Sequence, residues 1–409
     1  MVDKRFLDEP VDDILIEGPI HKTMLFFHRA EAWTGWRAVS IAVFLSSILG
    51  ITWGVVADSW QAGLWTMVIH SLFVVVDTAA LLSLPQKQIS FGPWKAQLFA
   101  LLVPRWLTTA VLAVFLVWLG WHALFVVAIA GQVVITVAYL WGLLIETHRL
   151  RLTHLTVETD RFTPTAPAIR LLHITDLHIE RLTRREAEVL RIVHECQPDI
   201  IVITGDYVNL SYNQDPLTHT HVRQLLSQLS APHGVYATLG SPPVDLREEI
   251  VPLFEGLDIC LLRWDTAVVP LNQTDKLILI GMDCTHHLPT DRQRLACLMA
   301  QVPDHAPHIF LYHSPELMPE AVQYGIDLYL CGHTHGGQVR LPLIGPLLTS
   351  SQLGRRYVMG LYQEGRTHLY VSRGIGLEGL SAPRVRFWAP PEMTLVTIQP
   401  QVKSYPNGA

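Results

Sequence analysis

Before residue 147 the chain carries four apolar stretches, 38–57, 62–84, 98–121 and 123–146. A bilayer core of about 30 Å is crossed by roughly 20 helical residues, and each stretch is long enough. Four membrane helices are therefore expected. They are tightly joined in pairs, because Asp58–Gln61 and the Trp121–His122 junction leave room only for short turns. Half of the 409 residues are hydrophobic and only 16% are charged, too apolar for one ordinary soluble domain, and the excess lies in this first part.

Basic residues mark the side of each turn. Lys4, Arg5, Lys22, Arg29 and Arg37 precede the first stretch, Lys87 and Lys95 separate the second from the third, and Arg149 and Arg151 follow the fourth. The two short turns contain neither lysine nor arginine. Basic residues stay on the cytoplasmic side, so both termini are expected there. Some 37 mixed residues precede the first apolar run, which does not fit a cleavable signal peptide.

Polar residues inside the spans are read in two ways. His70 and Asp77, seven apart, share a helix face. Ionisable groups in a bilayer suggest function, but pairing between helices of an anchor accounts for these two. Arg105, after Pro104 in the third span, is expected to snorkel to the interface. Five cysteines in odd number without CxxC spacing fit neither a disulfide framework nor a zinc ribbon, and agree with a reducing compartment. A net charge of −6 gives no footprint for nucleic acid.

From about 152 to 400 short apolar runs alternate with amphipathic segments. Four of the runs end on residues that bind hard metal ions: Ile169–Thr175 into Asp176 and His178, Asp199–Thr204 into Gly205-Asp206, Ile309–Tyr312 into His313, and Asp327–Cys331 into Gly332-His333-Thr334-His335-Gly336-Gly337-Gln338. Such runs read as buried strands, and α/β sheets gather ligands at the carboxyl ends of their strands. One shared metal site accounts for all four. Ala187, Leu190, Val193 and His194 place a helix over Glu186–Cys196, between the first two strands. Further strands are expected at Gly234–Leu239, Leu277–Ile280, Thr367–Val371 and Met393–Ile398.

The ordered set Asp-x-His, Gly-Asp, a lone His after a strand and Gly-His-x-His resembles the calcineurin-like metallophosphoesterases. His173-Ile-Thr-Asp-Leu-His178, Leu341-Pro-Leu-Ile-Gly-Pro346, Ser372-Arg-Gly-Ile-Gly376 and Pro383-Arg-Val-Arg-Phe387 make the finer match to the membrane-associated bacterial branch. The resemblance covers nearly all of 165–400 and none of the membrane half. It implies an α/β fold in which a two-layered β-sandwich flanked by helices follows the four transmembrane helices. The expected organisation is a cytoplasmic segment 1–37, membrane helices in 38–147 and a phosphoesterase domain over 152–400. The expected location is a bacterial inner membrane, with the protein multi-pass and its catalytic domain cytoplasmic.

The same resemblance implies that Asp176, His178 and His335 hold one divalent ion, His313 and His333 a second, and Asp206 bridges both. Two ions about 3.5–4 Å apart activate water and neutralise charge on a phosphoryl group. Mixed imidazole and carboxylate donors suit Mn, Fe or Zn. Gly336 and Gly337 are read as letting backbone approach these ions.

One stretch departs from the family, which has Gly-Asn-His-Asp/Glu after the third strand where this chain has Gly240-Ser241-Pro242-Pro243. The expected Asn ligand of the second ion is Ser241, a weak neutral donor. The His that contacts phosphate and protonates the leaving group is Pro242, which does neither, and loss of such an acid typically costs about 10²–10⁴-fold in rate. No catalytic residue is therefore assigned. His286-His287, in a segment that could approach the site, is weighed as a substitute for the missing histidine but read as a solvated pair, and Asp245, a few residues past the break, is a similar remote candidate. The expected activity is metal-dependent hydrolysis of a phosphate mono- or diester or a diphosphate, with lipid-linked substrates included because the domain is tethered to a membrane. The alternative is a degenerate, metal-binding relative that binds ligand without turnover. A transporter or receptor whose membrane half acts and whose soluble half regulates is the reading from another class, and only His70 and Asp77 support it.

Overall fold

The computed structural model describes residues 19–401 and divides the chain into two compact units. Lys4 and Arg5, used above for orientation, lie outside the described residues. Among the described residues, one unit holds 19–145 together with 378–385, and the other holds 146–377 and 386–401.

The first unit contains four helices long and apolar enough to cross a membrane: Gly35–Val56, Trp60–Ser83, Trp94–Ala113 and Trp121–His148. The first two pack through glycines. A Cβ on Gly63 would sit 2.6 Å from the carbonyl oxygen of Gly50, so the helix backbones touch there, the usual way membrane helices approach closely. Val39, Val43, Phe44, Ile51 and Val55 are exposed on the first helix, an apolar surface suited to lipid. The third span is shorter than expected: it ends at Ala113 and is followed by a single turn, Leu116–Leu119, closed by Gly120 at φ 73°. An apolar run without polar punctuation hid this break.

The snorkelling expectation for Arg105 is overturned. Its side chain is fully buried, and its guanidinium grips Asp77 with two bonds, Nε to Oδ2 at 2.6 Å and Nη2 to Oδ1 at 2.8 Å. The remaining donors reach Gln132 Oε1 at 2.9 Å and Thr136 Oγ1 at 2.8 Å. His70 lies 2.9 Å from Ser46 Oγ. Pairing between helices thus accounts for both polar residues, each with its own partner. A buried planar fork finds enough acceptors on neighbouring helices to make the interface unnecessary.

In the second unit, the strands in chain order are β1 (Arg151–Thr159), β2 (Ile169–Ile174), β3 (Ile200–Thr204), β4 (Val235–Thr238), β5 (Cys260–Leu261), β6 (Asp265–Pro270), β7 (Lys276–Gly281), β8 (His308–Leu311), β9 (Leu328–Cys331), β10 (Arg340–Leu341), β11 (Gly345–Pro346), β12 (Gly360–Glu364), β13 (Thr367–Val371) and β14 (Glu392–Pro400). They form two six-stranded sheets, β1-β14-β2-β3-β4-β5 and β12-β13-β9-β8-β7-β6, plus the hairpin β10-β11. In each sheet a central parallel run, β2-β3-β4-β5 or β13-β9-β8-β7, carries the candidate ligands.

Alternation along the strands builds the layers. Leu171, Ile200, Val202, Leu277, Leu279, Ile309 and Leu330 fill the space between the sheets. Their neighbours Leu172, Ile201 and Ile203 face outward under the helix Arg184–Cys196 and the helix Pro216–Leu226. On the other sheet Ile278, Ile280, Phe310 and Tyr329 lie under Leu295 and Leu298 of the helix Leu288–Met299. Strands buried on both faces read as continuous apolar runs, which is why the sequence displays them. The helix Arg184–Cys196 begins two residues before the expected start, at a capping box in which Thr183 and Glu186 satisfy each other's backbone.

Candidate metal centre

Every candidate ligand sits just past the carboxyl end of a parallel strand: Asp176 and His178 after β2, Asp206 after β3, Ser241 after β4, His313 after β8, and His333 and His335 after β9. The structure brings all seven into one buried cluster, none more than 6% exposed. The pairing of β2 with β3 continues past the strands, with Asp176 N–H donating to Gly205 O and His178 N–H to Asp206 O, both at 3.0 Å. That register sets the first two loops side by side.

Backbone strain is concentrated here. Asp176 (φ 50°), His178 (41°), Asp206 (57°), His333 (69°) and His335 (50°) all adopt the left-handed region, and so does the neighbouring His286 (59°). For residues with a Cβ each such conformation costs on the order of 1–3 kcal/mol and persists where the surroundings over-determine it. Two glycines make the close approach. A Cβ at Gly332 would fall 1.9 Å from Asp176 Oδ2, and one at Gly240 would fall 2.2 Å from Asp206 Oδ1. At Gly336 and Gly337 a Cβ would meet Arg373 Cγ at 2.9 Å and Pro346 Cβ at 2.3 Å, so these glycines admit neighbouring loops.

The donor atoms converge at spacings suited to a cation between them. Asp176, His178 and His335 form one group and Asp176, Asp206 and His313 another, each with ligand atoms within 4.8 Å of one another. His178 Nε2 faces His335 Nε2 at 3.0 Å and Asp206 Oδ2 at 3.4 Å, and His335 Nε2 lies 3.5 Å from Asp176 Oδ1. His313 Nδ1 meets Thr204 O at 2.8 Å, which places a proton on Nδ1 and turns Nε2 to Asp206 Oδ2, 3.2 Å away. That Nε2 is buried and has no hydrogen-bond partner. An imidazole nitrogen this close to a carboxylate calls for positive charge between them, which a proton on Nε2 or a metal ion would supply.

Electrostatics agree. Burial pushes the Asp176 carboxyl up. Burial also opposes ionisation of Asp206, but the imidazoles of His313, His178 and His333 outweigh it and hold that carboxyl well below its usual range. Burial would lower His313, yet Asp206 and Asp176 hold it up at about 10. The carboxylates thus create a field that favours a cation, and the donor set fits divalent metals of the Mn, Fe and Zn type.

The Ser241 loop differs from what the family motif supplies. Ser241 N–H donates to Asp206 Oδ1 at 2.7 Å, and its hydroxyl lies 3.4 Å from Asp206 Oδ2 and 3.5 Å from His333 Nδ1. The solvated reading of His286 is wrong: the residue is 2% exposed, with Nε2 3.2 Å from Ser241 Oγ. Asp245 does not point at the cluster. Its carboxylate accepts three backbone N–H groups, from Asp206 and Gly240 at 2.8 Å and from Tyr207 at 2.9 Å.

Arg386 was also illegible as a site residue. It is fully buried, donating to the carbonyls of Arg373, Gly374, Gly376 and Ala389, with its guanidinium against His335. The only signal was its place in the Pro383–Phe387 motif. His173, from the first motif, contacts Thr204 Oγ1 at 2.8 Å instead of the cluster.

The chain is similar in sequence to known phosphoesterases. The family model of the calcineurin-like phosphoesterases matches residues 169–337. The metallophosphoesterase YkuE of Bacillus subtilis is 28% identical over 275 residues, covering 66% of this chain and 93% of that protein. The phosphodiesterase YaeI of Escherichia coli is 28% identical over 245 residues, covering 58% and 84%. The UDP-2,3-diacylglucosamine pyrophosphatase LpxG of Chlamydia trachomatis is 23% identical over 313 residues, covering 63% and 92%.

Proposed function

With residues 169–337 belonging to the calcineurin-like phosphoesterases, we propose that this protein is a membrane-anchored phosphoesterase that hydrolyses a phosphodiester or diphosphate with two divalent ions. The observation that carries the reading is the buried convergence of Asp176, His178, Asp206, His313, His333 and His335. Asp176, His178 and His335 would hold the first ion, His313 and His333 the second with Ser241 as a weak donor, and Asp206 would bridge them. Bound there, the ions activate water and neutralise charge on the phosphoryl group. The chain's own part is to fix these donors in strained, pre-formed positions so that little reorganisation accompanies binding.

No side chain at 242 donates a proton to the leaving group, which favours substrates whose leaving group is already stable, such as a diphosphate. The chain's similarity to LpxG, named as a pyrophosphatase of a diacylated sugar nucleotide, supports that class. So does an exposed apolar run, Leu343, Ile344, Leu347 and Leu348, following the Gly-His-Thr-His segment; Ser350 O in the same loop lies 3.3 Å from His333 Nε2. A lipid-linked diphosphate would place its acyl chains against such a surface. Four spans return the chain to its starting side, and the basic residues assign that side to the cytoplasm.

The test is hydrolysis of bis-p-nitrophenyl phosphate and of a lipid-linked diphosphate by the full chain in detergent, with Mn²⁺ added after chelation. Activity restored by Mn²⁺ in the wild type and absent from Asp206→Asn is expected. Two bound ions with no turnover on either substrate would instead favour a ligand-binding relative, the reading that Pro242 supports.

A further inference from the structure

We infer that His286 is a ligand of the second metal position, supplying through Nε2 the donor that Ser241 is too short and too weak to provide. The inference rests on the two-ion reading above and concerns a residue outside the family's ligand motifs.

Three observations converge. The first is placement: His286 is 2% exposed, and its Nε2 lies 3.2 Å from the Ser241 hydroxyl, which itself sits 3.4 Å from Asp206 Oδ2 and 3.5 Å from His333 Nδ1. Serine in place of the longer asparagine leaves room at this corner, and the imidazole edge fills it.

The second is the spacing of the rings. With metal–nitrogen bonds of about 2.0–2.1 Å, an imidazole centroid lies roughly 3.2 Å from its ion, so two rings on one ion at angles of about 90–110° have centroids about 4.5–5.2 Å apart. The His286 and His333 centroids are 4.6 Å apart and those of His313 and His333 are 5.1 Å apart, each within the range for two neighbouring rings on one ion. The His178 and His335 rings of the first position show the same spacing, 4.8 Å.

The third is the loop that presents the ring. His286 is held at φ 59°, in the left-handed region shared by five of the proposed ligands. Its carbonyl accepts from Gln352 Nε2 at 3.0 Å. Beside it, Thr285 is tied to Asp291 through Oγ1 at 2.9 Å, and Asp283 to Arg263 Nε at 2.8 Å. A solvated histidine pair would not need a strained backbone anchored on both sides.

The second position then has Asp206, His313, His333 and His286 around it, with Ser241 at its edge. The chain has replaced an amide ligand from the loop after β4 by an imidazole from the loop after β7.

The experiment is Mn²⁺ titration of the chelator-stripped full chain in detergent, read by metal analysis and electron paramagnetic resonance. The wild type is expected to bind two ions per chain with an exchange-coupled spectrum. His286→Ala is expected to keep one ion, give the six-line spectrum of isolated Mn²⁺, and bind the second at least tenfold more weakly. Adding Ser241→Asn to His286→Ala should return the second ion and the coupled spectrum, because asparagine reaches the vacated corner. His286→Gln, which preserves most of the side-chain volume, should also lose affinity at the second position alone, and the retained first ion reports an intact fold. Two ions bound with unchanged affinity in His286→Ala would overturn the inference. So would a failure of Ser241→Asn to rescue while the first ion stays bound. A wild type that binds fewer than two ions would overturn the two-ion reading itself, and so is distinguished from failure of the His286 assignment.

Discussion

The carboxylate of Asp245 accepts the backbone N–H of Asp206 at 2.8 Å, and through the same oxygen the N–H of Gly240, also at 2.8 Å. One buried oxygen therefore joins the loop after β3 to the loop after β4. Asp206 is held in its left-handed conformation by a residue that never faces the cluster. Asp245→Ala would strand three buried N–H groups, those of Asp206, Tyr207 and Gly240. An unsatisfied buried donor costs about 1–3 kcal/mol, so a stability loss of roughly 3–5 kcal/mol is expected after partial relaxation. Metal affinity should fall at both positions. Thermal unfolding of the metal-free protein checks the first part, and unchanged stability would show that the loops hold themselves.

Asp77 and Arg105 should be coupled in the same sense. Removing one partner of a buried ion pair leaves an uncompensated charge and costs about 3–5 kcal/mol, whereas replacing both by apolar residues is often close to neutral. Arg105→Met and Asp77→Leu are each expected to destabilise the helical unit strongly, and the double variant to recover most of the loss. Denaturant unfolding in detergent, followed by tryptophan fluorescence, gives the cycle. Strictly additive effects would mean the pair contributes nothing to folding and would return attention to a functional role.

Asp291 supplies a pH dependence. Burial pushes its carboxyl up to about 6 from an ordinary 3.8, with Tyr312 and Thr285 hydrogen bonds opposing the shift. A proton held more tightly in the folded state stabilises fully below about 3.8 and stops doing so as pH rises through about 6. The shift of about 2 units corresponds to about 3 kcal/mol. Asp291→Asn should therefore gain on the wild type by about that amount between pH 4 and pH 7, in unfolding experiments on metal-free protein. Parallel stability curves would exclude the linkage.

Restoring the family residues at the loop after β4 should change which substrates are turned over. Ser241→Asn with Pro242→His should raise turnover on alkyl phosphodiesters by about tenfold or more, and less on nitrophenyl esters, whose leaving group needs no proton. Pro242 begins a turn in which Val244 N–H donates to Ser241 O at 3.0 Å, a geometry that fits histidine only if the turn persists without proline. Equal gains on both substrates would locate the defect in metal occupancy instead of acid catalysis.

Much of the architecture is written locally. Buried strands such as β3 and β8 are continuous apolar runs because both faces are covered, and a ligand at the end of each run is visible in sequence order. β1 was missed because it lies at a sheet edge with few apolar side chains: Leu152, Leu155 and Val157 are three and then two residues apart, so the sequence shows no steady alternation there.

What tertiary structure alone decided are pairings between residues far apart in the chain. Arg105 meets Asp77 at a separation of 28, Asp245 meets Asp206 at 39, and His286 meets Ser241 at 45. Periodicity reports which face of an element a residue occupies, and carries no term for which other element that face will meet. The sequence by itself determined which chemistry gathers at the strand ends. The packing of two sheets determined that a histidine from the loop after β7 would lie against the serine where the family has asparagine, because it sets the two loops within hydrogen-bonding distance, with Cys284 N–H on Leu239 O at 3.3 Å beside the contact of His286 with Ser241 at 3.2 Å.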